Sequence, residues 1–150
     1  MQLKLIYSIK TLVIFFGVKY MNEKVSKIAR IILGLMFFIF GGAGLFNLFP
    51  PPPDMPEKLQ IFMNGIMATG YFLPFLKLTE TLCGLFLLIG IAPALILIIL
   101  APITIHIILV HAFLTPGIQN LVLPLIILLL HVFTAKSYWN LYRPLFYKNK

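Results

Sequence analysis

Four long apolar runs alternate along the chain with short polar or turn-forming connections. The runs extend from Ile28 to Phe49, from Tyr71 to Gly90, from Pro93 to Leu114 and from Gly117 to Thr134. Each is close to the roughly 20 residues that an α-helix needs to cross about 30 Å of hydrocarbon. The last run is slightly short, and Ala135 extends it toward the interface. The pattern predicts an all-α membrane protein built as a bundle of four transmembrane helices.

The positions of lysine and arginine predict how these helices are oriented. Basic residues precede or open the first run and follow the fourth, whereas the connections between runs carry few charges. Short basic flanks stay on the cytoplasmic side of a membrane. We therefore predict an integral protein of a bacterial-type cytoplasmic (plasma) membrane, with both the N- and the C-terminus cytoplasmic. The cations concerned are Lys4, Lys10, Lys19, Lys24, Lys27 and Arg30 at the first run and Lys136, Arg143, Lys148 and Lys150 at the fourth.

The connection between the first two runs has a pattern of its own. It begins with the prolines Pro50 to Pro53, which form a stiff polyproline II spacer and cannot continue a helix. Apolar residues then recur at helical spacing, which predicts a short amphipathic helix in this first outer loop. Such a helix lies either flat on the membrane surface or folded over the mouth of the bundle. Its apolar positions are Leu59, Phe62, Met63, Ile66 and Met67.

The N-terminal residues contain a shorter apolar stretch, Thr11 to Val18, between Lys10 and Lys19. It is too short to span a bilayer, and no small-residue cleavage site of the kind that ends a secretory signal peptide follows it. We interpret residues 1–20 as an N-terminal extension, either an uncleaved interfacial segment or the result of a start site upstream of Met21. In both cases residues 21–150 form the four-helix membrane domain.

Composition agrees with the membrane class and excludes several functions. Hydrophobic residues make up 61% of the chain and charged residues only 11%, which is outside the range of soluble domains. The net charge of +8 lies mostly at the two ends, so it is a topology signal and we expect no nucleic-acid partner. Cys83 is the only cysteine, so the chain can form neither an internal disulfide nor a Cys-x-x-Cys exchange motif.

The second apolar run carries two charged residues near its centre, Lys77 and Glu80, one helical turn apart. An ionised side chain in hydrocarbon costs roughly 2.5 to 3.5 kcal/mol, so such residues usually face a bundle interior or an aqueous cavity. Three interpretations are open. In the first, Lys77 extends to the head groups, and Glu80 is either protonated or lines a polar cavity. In the second, the two residues form a purely structural pair. In the third, they share with Thr81 a polar face that binds a ligand.

Small residues lie beside this polar face. Gly84 is on the same helical stripe as Glu80, and the first run contains Gly34, Gly41, Gly42 and Gly44. Small residues let membrane helices approach closely. We interpret them first as a close-packing seam and second as a slot for a ligand.

The remaining polar residues of the apolar runs are histidines and Asn120. His106 and His111 are five residues apart, which turns them about 140° away from each other on a helix and prevents a shared metal site. We therefore expect no bound metal. His111 and Asn120 have a similar depth on either side of a tight turn, which predicts a hydrogen bond between their helices. His131 is near the inner end of the fourth run and is interpreted as an interfacial residue.

Counted by depth, polar residues concentrate in the middle and the outer half of the membrane, and the inner half is almost bare apart from His131. The asymmetry predicts a cavity that opens outward. A carboxyl group near an imidazole there could accept and pass protons, which suits a quinone head group or a proton-coupled solute. No catalytic residue is assigned. The candidate ligand-binding or proton-relay residues are Lys77, Glu80, Thr81, His106, His111 and Asn120.

Four stretches of the chain stand out by their order and spacing. They are Ala29 to Gly34 with its continuation to Gly44, Ala68 to Pro74 leading to Lys77 and Glu80, Leu100 to His111, and Arg143 to Phe146. Together they resemble the DoxX family over roughly Met21 to Phe146. The resemblance implies a small four-helix membrane protein associated with quinone-linked thiosulfate oxidation or with membrane-bound redox defence, and it places Lys77 and Glu80 in the family's polar helix motif.

Three function classes follow for this chain. The first is a redox-associated membrane subunit that binds a quinone or a similar lipophilic molecule beside Lys77, Glu80 and His106 and acts with a separate soluble or membrane oxidoreductase partner. The second is a small-solute permeability or transport protein, for which four spans are few unless the chain forms a homo-oligomer. The third is a membrane scaffold or anchor without a ligand. The chain is at most a membrane subunit of a quinone-linked oxidoreductase. We expect no autonomous enzyme, because the chain offers no nucleophile with a base and no dinucleotide fingerprint.

Overall fold

The computed structural model describes residues 2–48 and 54–146, with side chains from residue 23 onward. The predicted Pro50 to Pro53 spacer lies outside these ranges, as do Lys148 and Lys150. All regular secondary structure within these ranges is helical. The α-helices are α1 (Gln2–Leu45), α2 (Glu57–Ala68), α3 (Phe72–Ile89), α4 (Pro93–Leu114), α5 (Val122–Ser137) and α6 (Trp139–Tyr142), with 3₁₀ helices at Ile118–Leu121 and Arg143–Phe146.

Four segments are long and apolar enough to cross a membrane: Glu23–Leu45, Phe72–Ile89, Pro93–Leu114 and Ile118–Ser137. The prediction of four spans is confirmed, and the largest differences from the predicted boundaries are in the first and the fourth span. The first begins earlier, at Glu23 instead of Ile28. The first span ends at Leu45 because the chain turns at Asn47, whose backbone φ of 50° is left-handed and cannot continue an α-helix. The fourth span continues through Ala135 to Ser137.

The four long helices form a ring in which each contacts two neighbours. The helix α1 packs against α3 and α5, and α4 packs against the same two helices from the other side. Leu33 of α1, Leu87 of α3 and Leu100 of α4 are fully buried at the centre of this ring. Most other large apolar side chains face outward, as expected for helices surrounded by lipid.

A tight turn makes α3 and α4 antiparallel neighbours. The turn begins at Gly90, whose φ of 80° is readily adopted only by glycine and whose N–H donates to the carbonyl of Phe86. It ends at Ala92, and Pro93 then occupies the first helical position, where its missing N–H removes no helical hydrogen bond. The turn therefore lies at the same end of the bundle as the start of the α1 span and the end of α5. We call this end, which carries Lys27, Arg30 and Lys136, the basic end.

A helix forms in the first loop where the periodicity predicted one. The helix α2 contacts α3 and α4, so it is folded against the bundle. Leu59, Phe62 and Ile66 are half-buried in this contact, whereas Met67 is exposed. Thr69 fixes the corner between α2 and α3, because its hydroxyl donates to the carbonyl of Ile66 at 2.7 Å and accepts the N–H of Phe72 at 3.1 Å.

The segment after α5 is held to the bundle by Tyr142. Its hydroxyl donates to the carbonyl of Ala94 at the start of α4, at 2.8 Å. Burial, together with the neighbouring Tyr138, raises the pKa of the Tyr142 phenol above its ordinary value. The group therefore stays protonated, and able to donate this hydrogen bond, well above neutral pH.

Candidate functional site

Glycines bring the backbones of α1 and α3 into direct contact. A Cβ atom placed on Gly84 would overlap the backbone nitrogen of Phe38 and lie 2.8 Å from the carbonyl oxygen of Gly34. A Cβ atom on Gly41 would lie 2.7 Å from the backbone nitrogen of Thr81. These distances are shorter than van der Waals contact. The close-packing interpretation of these glycines is confirmed, although Gly42 lies at the edge of the seam.

Lys77 and Glu80 form an ion pair inside this seam. The Lys77 ammonium nitrogen donates to a Glu80 carboxylate oxygen at 2.7 Å, and Glu80 is only 4% exposed. Gly44 makes room for the lysine, because a Cβ atom there would lie 2.7 Å from the Lys77 Cδ. Thr81 donates its hydroxyl hydrogen to the Lys77 carbonyl at 2.7 Å. The structure thus brings three predicted site residues together on the face of α3 that packs against α1.

His106 lies elsewhere, under the loop helix. Its ring is tilted by 41° against the ring of Phe62 in α2, with 5.6 Å between the ring centroids. The two rings border a groove of about 390 Å³ between α2 and the bundle. Neither Lys77 nor Glu80 lines this groove. Its walls are Ile61, Phe62, Gly65, Ile66, Thr69, Phe72 and His106.

The predicted hydrogen bond between His111 and Asn120 is wrong. The ring nitrogen Nδ1 of His111 lies 2.7 Å from the carbonyl oxygen of Ile107, one turn earlier in the same helix. Asn120 donates its side-chain N–H to the carbonyl of Pro116 at 2.9 Å, within its own turn. Both side chains bond to the carbonyl four residues earlier in the chain, so each is engaged locally and not by the other. A similar depth was therefore not sufficient to pair them.

The interfacial interpretation of His131 is also wrong. His131 is 6% exposed, and its Nδ1 lies 2.9 Å from the hydroxyl oxygen of Thr104, which is 1% exposed. This contact is a buried polar bridge between α4 and α5. A polar pair at mid-bundle fixes the rotation of both helices, because an unpaired polar group in an apolar core costs free energy. The sequence placed Thr104 and His131 on different helices but gave no signal for their relative register.

We expect Thr104→Val to lower the free energy of unfolding in detergent by about 1 to 3 kcal/mol, because it leaves the buried His131 nitrogen without its partner. Thr134→Val is a matched control. Thr134 is 0% exposed, and its hydroxyl has no hydrogen-bond partner among the described residues. Its replacement by the isosteric valine should be neutral or stabilising. Equal losses in the two variants, measured by unfolding in mixed detergent, would contradict a stabilising role for the Thr104–His131 contact.

Arg30, which was interpreted from the sequence only as a topology signal, has a buried side chain. It is 8% exposed, and its Nη1 donates to the carbonyl of Leu87 at 2.6 Å. That carbonyl belongs to the last turn of α3, where no helical N–H is available. Gly90 gives the guanidinium its space, since a Cβ atom there would lie 2.6 Å from Arg30 Nη1. Neither Arg30 in α1 nor Gly90 at the end of α3 indicates by itself that the two residues are in contact.

The half of the bundle at the basic end is therefore not bare of polar groups. A cavity of about 520 Å³ opens at the basic end, beside Arg30. Its polar lining comes from Glu23, Ser26, Lys27, Arg30, Lys136, Ser137, Tyr138 and Asn140. The prediction that this half is almost bare of polar residues apart from His131 is wrong, because Ser26, Arg30 and Thr134 are buried there as well.

The chain was compared with known proteins. The profile of the DoxX family matches residues 26–112, which is more than half of the chain and extends from α1 to α4. No curated protein matches the chain, and no solved structure matches it. The matched region includes the Lys77–Glu80 pair, His106 and Arg30, whereas α5 with His131 follows it.

Proposed function

The chain belongs to the DoxX family of integral membrane proteins, and from this premise we propose that it is a redox-associated membrane subunit. In this proposal it holds a quinone or a similar lipophilic ring compound in the groove beside His106. Electrons are exchanged with a separate oxidoreductase partner, soluble or membrane-bound. We further propose that both termini are cytoplasmic, in a bacterial-type plasma membrane, because the basic flanks of α1 and α5 favour that side.

The groove between α2 and the bundle is the observation that carries the proposal. Its volume of about 390 Å³ lies within the roughly 300 to 1,000 Å³ of ordinary small-molecule sites. Its apolar walls include two phenyl rings, Phe62 and Phe72, and the Phe62 ring lies against the His106 imidazole. A quinone head group is flat and carries carbonyl acceptors, so it can stack on the Phe62 ring and accept a hydrogen bond from the imidazole.

The site that we propose differs from the one predicted on sequence. The Lys77 and Glu80 side chains bond to each other and face the α1 backbone at Gly41 and Gly44. A carboxylate engaged in this way has less capacity for a ligand. We therefore assign to Lys77, Glu80 and Thr81 the role of holding α1 against α3, and to His106 the role of ligand contact.

Quinones that co-purify with the gently extracted protein test this assignment. We expect His106→Leu and Phe62→Ala each to reduce the bound quinone, quantified by mass spectrometry, by about fivefold or more, because each removes an interaction of about 1 kcal/mol. His111→Leu is the matched control. It lies on the same helix, but its ring is bonded to the Ile107 carbonyl and does not line the groove.

Two results would contradict the groove. Equal quinone in wild type, His106→Leu and His111→Leu would show that the bound molecule is only dissolved in the detergent micelle. Loss of quinone in a folded Glu80→Gln protein, with retention in His106→Leu, would move the site to the Lys77–Glu80 pair. A native-like melting temperature is required of each variant for the comparison to be valid.

One observation favours a second candidate, a membrane scaffold without a ligand. The Lys77 and Glu80 side chains bond to each other and pack against Gly41 and Gly44 of α1. This arrangement fixes helix packing without any bound molecule. A scaffold predicts that the cellular function survives Phe62→Ala and His106→Leu while it depends on the assembly of α1 with α3. Complementation of a deletion strain with these variants separates the two functions.

A further inference from the structure

The cavity at the basic end is strongly cationic. It is lined by the start of the α1 span, by the α3–α4 turn, and by the end of α5 with the start of α6. Lys27, Arg30 and Lys136 contribute three positive charges, and Glu23 contributes one negative charge, so the lining has a net charge of +2. Concave sites with one sign of charge concentrate ions of the opposite sign. This cavity is separate from the His106 groove, because the two share no lining residue.

Arg30 is a buried cation, and no carboxylate among the described residues lies within ion-pair distance of it. It is 8% exposed, and among the described residues the ion pair is that of Lys77 with Glu80. The whole chain has only four acidic side chains. Glu80 is bonded to Lys77, Asp54 and Glu57 belong to the loop that contains α2, and Glu23 is exposed. A buried charge is costly unless an opposite charge compensates it. Among the described residues, Glu23 is the acidic side chain that lines the cavity, and it forms no ion pair with Arg30.

The guanidinium is also fixed in place. One of its five N–H donors is used by the Leu87 carbonyl, and Gly90 lies against the same group. An arginine that is held in this way keeps its planar set of donors for a second acceptor. Ser26, 6% exposed, and the Asn140 amide add neutral donors to the lining. The arrangement suits an anion with several oxygen acceptors and more than one partial negative charge.

From these observations we infer that the cavity binds a phosphate group, with Arg30 at its floor and Lys27 and Lys136 at its mouth. Phosphate oxygens accept two parallel hydrogen bonds from an arginine, and lysines add charge compensation. An anionic phospholipid is the expected source, because the cavity lies where the spans end, beside the interfacial residues Tyr138 and Trp139. Free inorganic phosphate has the same chemistry and is separated from the lipid by the experiment.

The test is native mass spectrometry of the full chain in mild detergent, titrated with phosphatidylglycerol, with phosphatidylcholine and with inorganic phosphate. The variant is Lys27→Gln combined with Lys136→Gln, both exposed and thus compatible with folding. Its control is Lys24→Gln combined with Lys58→Gln, which removes the same charge from exposed lysines outside the cavity. We expect one tight phosphatidylglycerol site, weakened about 30-fold in the cavity variant, since each surface cation contributes about a factor of five.

Each outcome decides the proposal. Tight binding of phosphatidylglycerol that only the cavity variant loses supports the site with a lipid as its source. Binding of inorganic phosphate that only the cavity variant loses, without tight phosphatidylglycerol binding, supports the phosphate site with a soluble source. Equal binding of both lipids without phosphate binding, or equal losses in the cavity variant and its control, overturns the proposal and leaves only a general attraction of a basic protein for anions.

Discussion

Replacing Gly84 with alanine is expected to lower the free energy of unfolding by about 3 kcal/mol, the upper end of the usual cost of overpacking. The added Cβ atom would overlap the backbone nitrogen of Phe38 and crowd the carbonyl oxygen of Gly34. Both obstacles are backbone atoms of a regular helix, so neither can move aside as a flexible side chain would. The only relief is to separate α1 from α3, which would also weaken the packing of Leu33 against Leu87 in the core.

Gly42→Ala is the matched control for this prediction. It introduces the same methyl group on the α1 side of the seam, but the nearest atom, the Thr81 Cγ2, is 3.9 Å away, an ordinary contact. Unfolding of purified protein in mixed detergent, followed by circular dichroism, should show a large loss for Gly84→Ala and little change for Gly42→Ala. If both variants unfold alike, the close approach of α1 and α3 is not a main source of stability.

The existence of the spans and of the glycine seam could be predicted from the sequence because both depend on local composition. Twenty apolar residues in a row have few alternatives to a membrane helix, and small residues on one helical face allow close packing with any neighbour. The span ends depend on the backbone geometry of single residues. Asn47 stops α1 through its left-handed φ of 50°, and a loop residue of this kind has no unique signature before the turn is known.

The polar contacts of the interior could not be predicted in the same way. Helical periodicity gives the face on which a residue lies, but not which residue of a neighbouring helix faces it. Thr104 and His131 meet only because α4 and α5 adopt one particular register. Arg30 meets Leu87 only because α3 ends at a glycine beside it. The Lys77–Glu80 pair was an open interpretation because its members are three residues apart on one helix, and such pairs form without any neighbour.

The Lys77–Glu80 pair gives the second large effect. Lys77→Met should lower the free energy of unfolding by about 3 to 5 kcal/mol, the usual cost of leaving a buried charge unpaired. Glu80 is 4% exposed and its short side chain lies against α1, so it has no path to water. Glu80→Met should cost less, because the Lys77 side chain is 25% exposed and can extend toward solvent. The asymmetry follows from the exposure of the partner that is left behind.

The double variant, with methionine at both positions, distinguishes a structural pair from a ligand site. Replacement of both members by apolar residues of similar size removes the unpaired charge, and it is often neutral or stabilising. Stability should therefore return close to that of the wild type, with a coupling free energy beyond the roughly 0.3 to 0.5 kcal/mol of independent sites. Bound quinone should be retained as well, since neither residue lines the groove beside His106. A stable double variant that has lost its quinone would instead assign ligand binding to the pair, because restored packing removes misfolding as the cause.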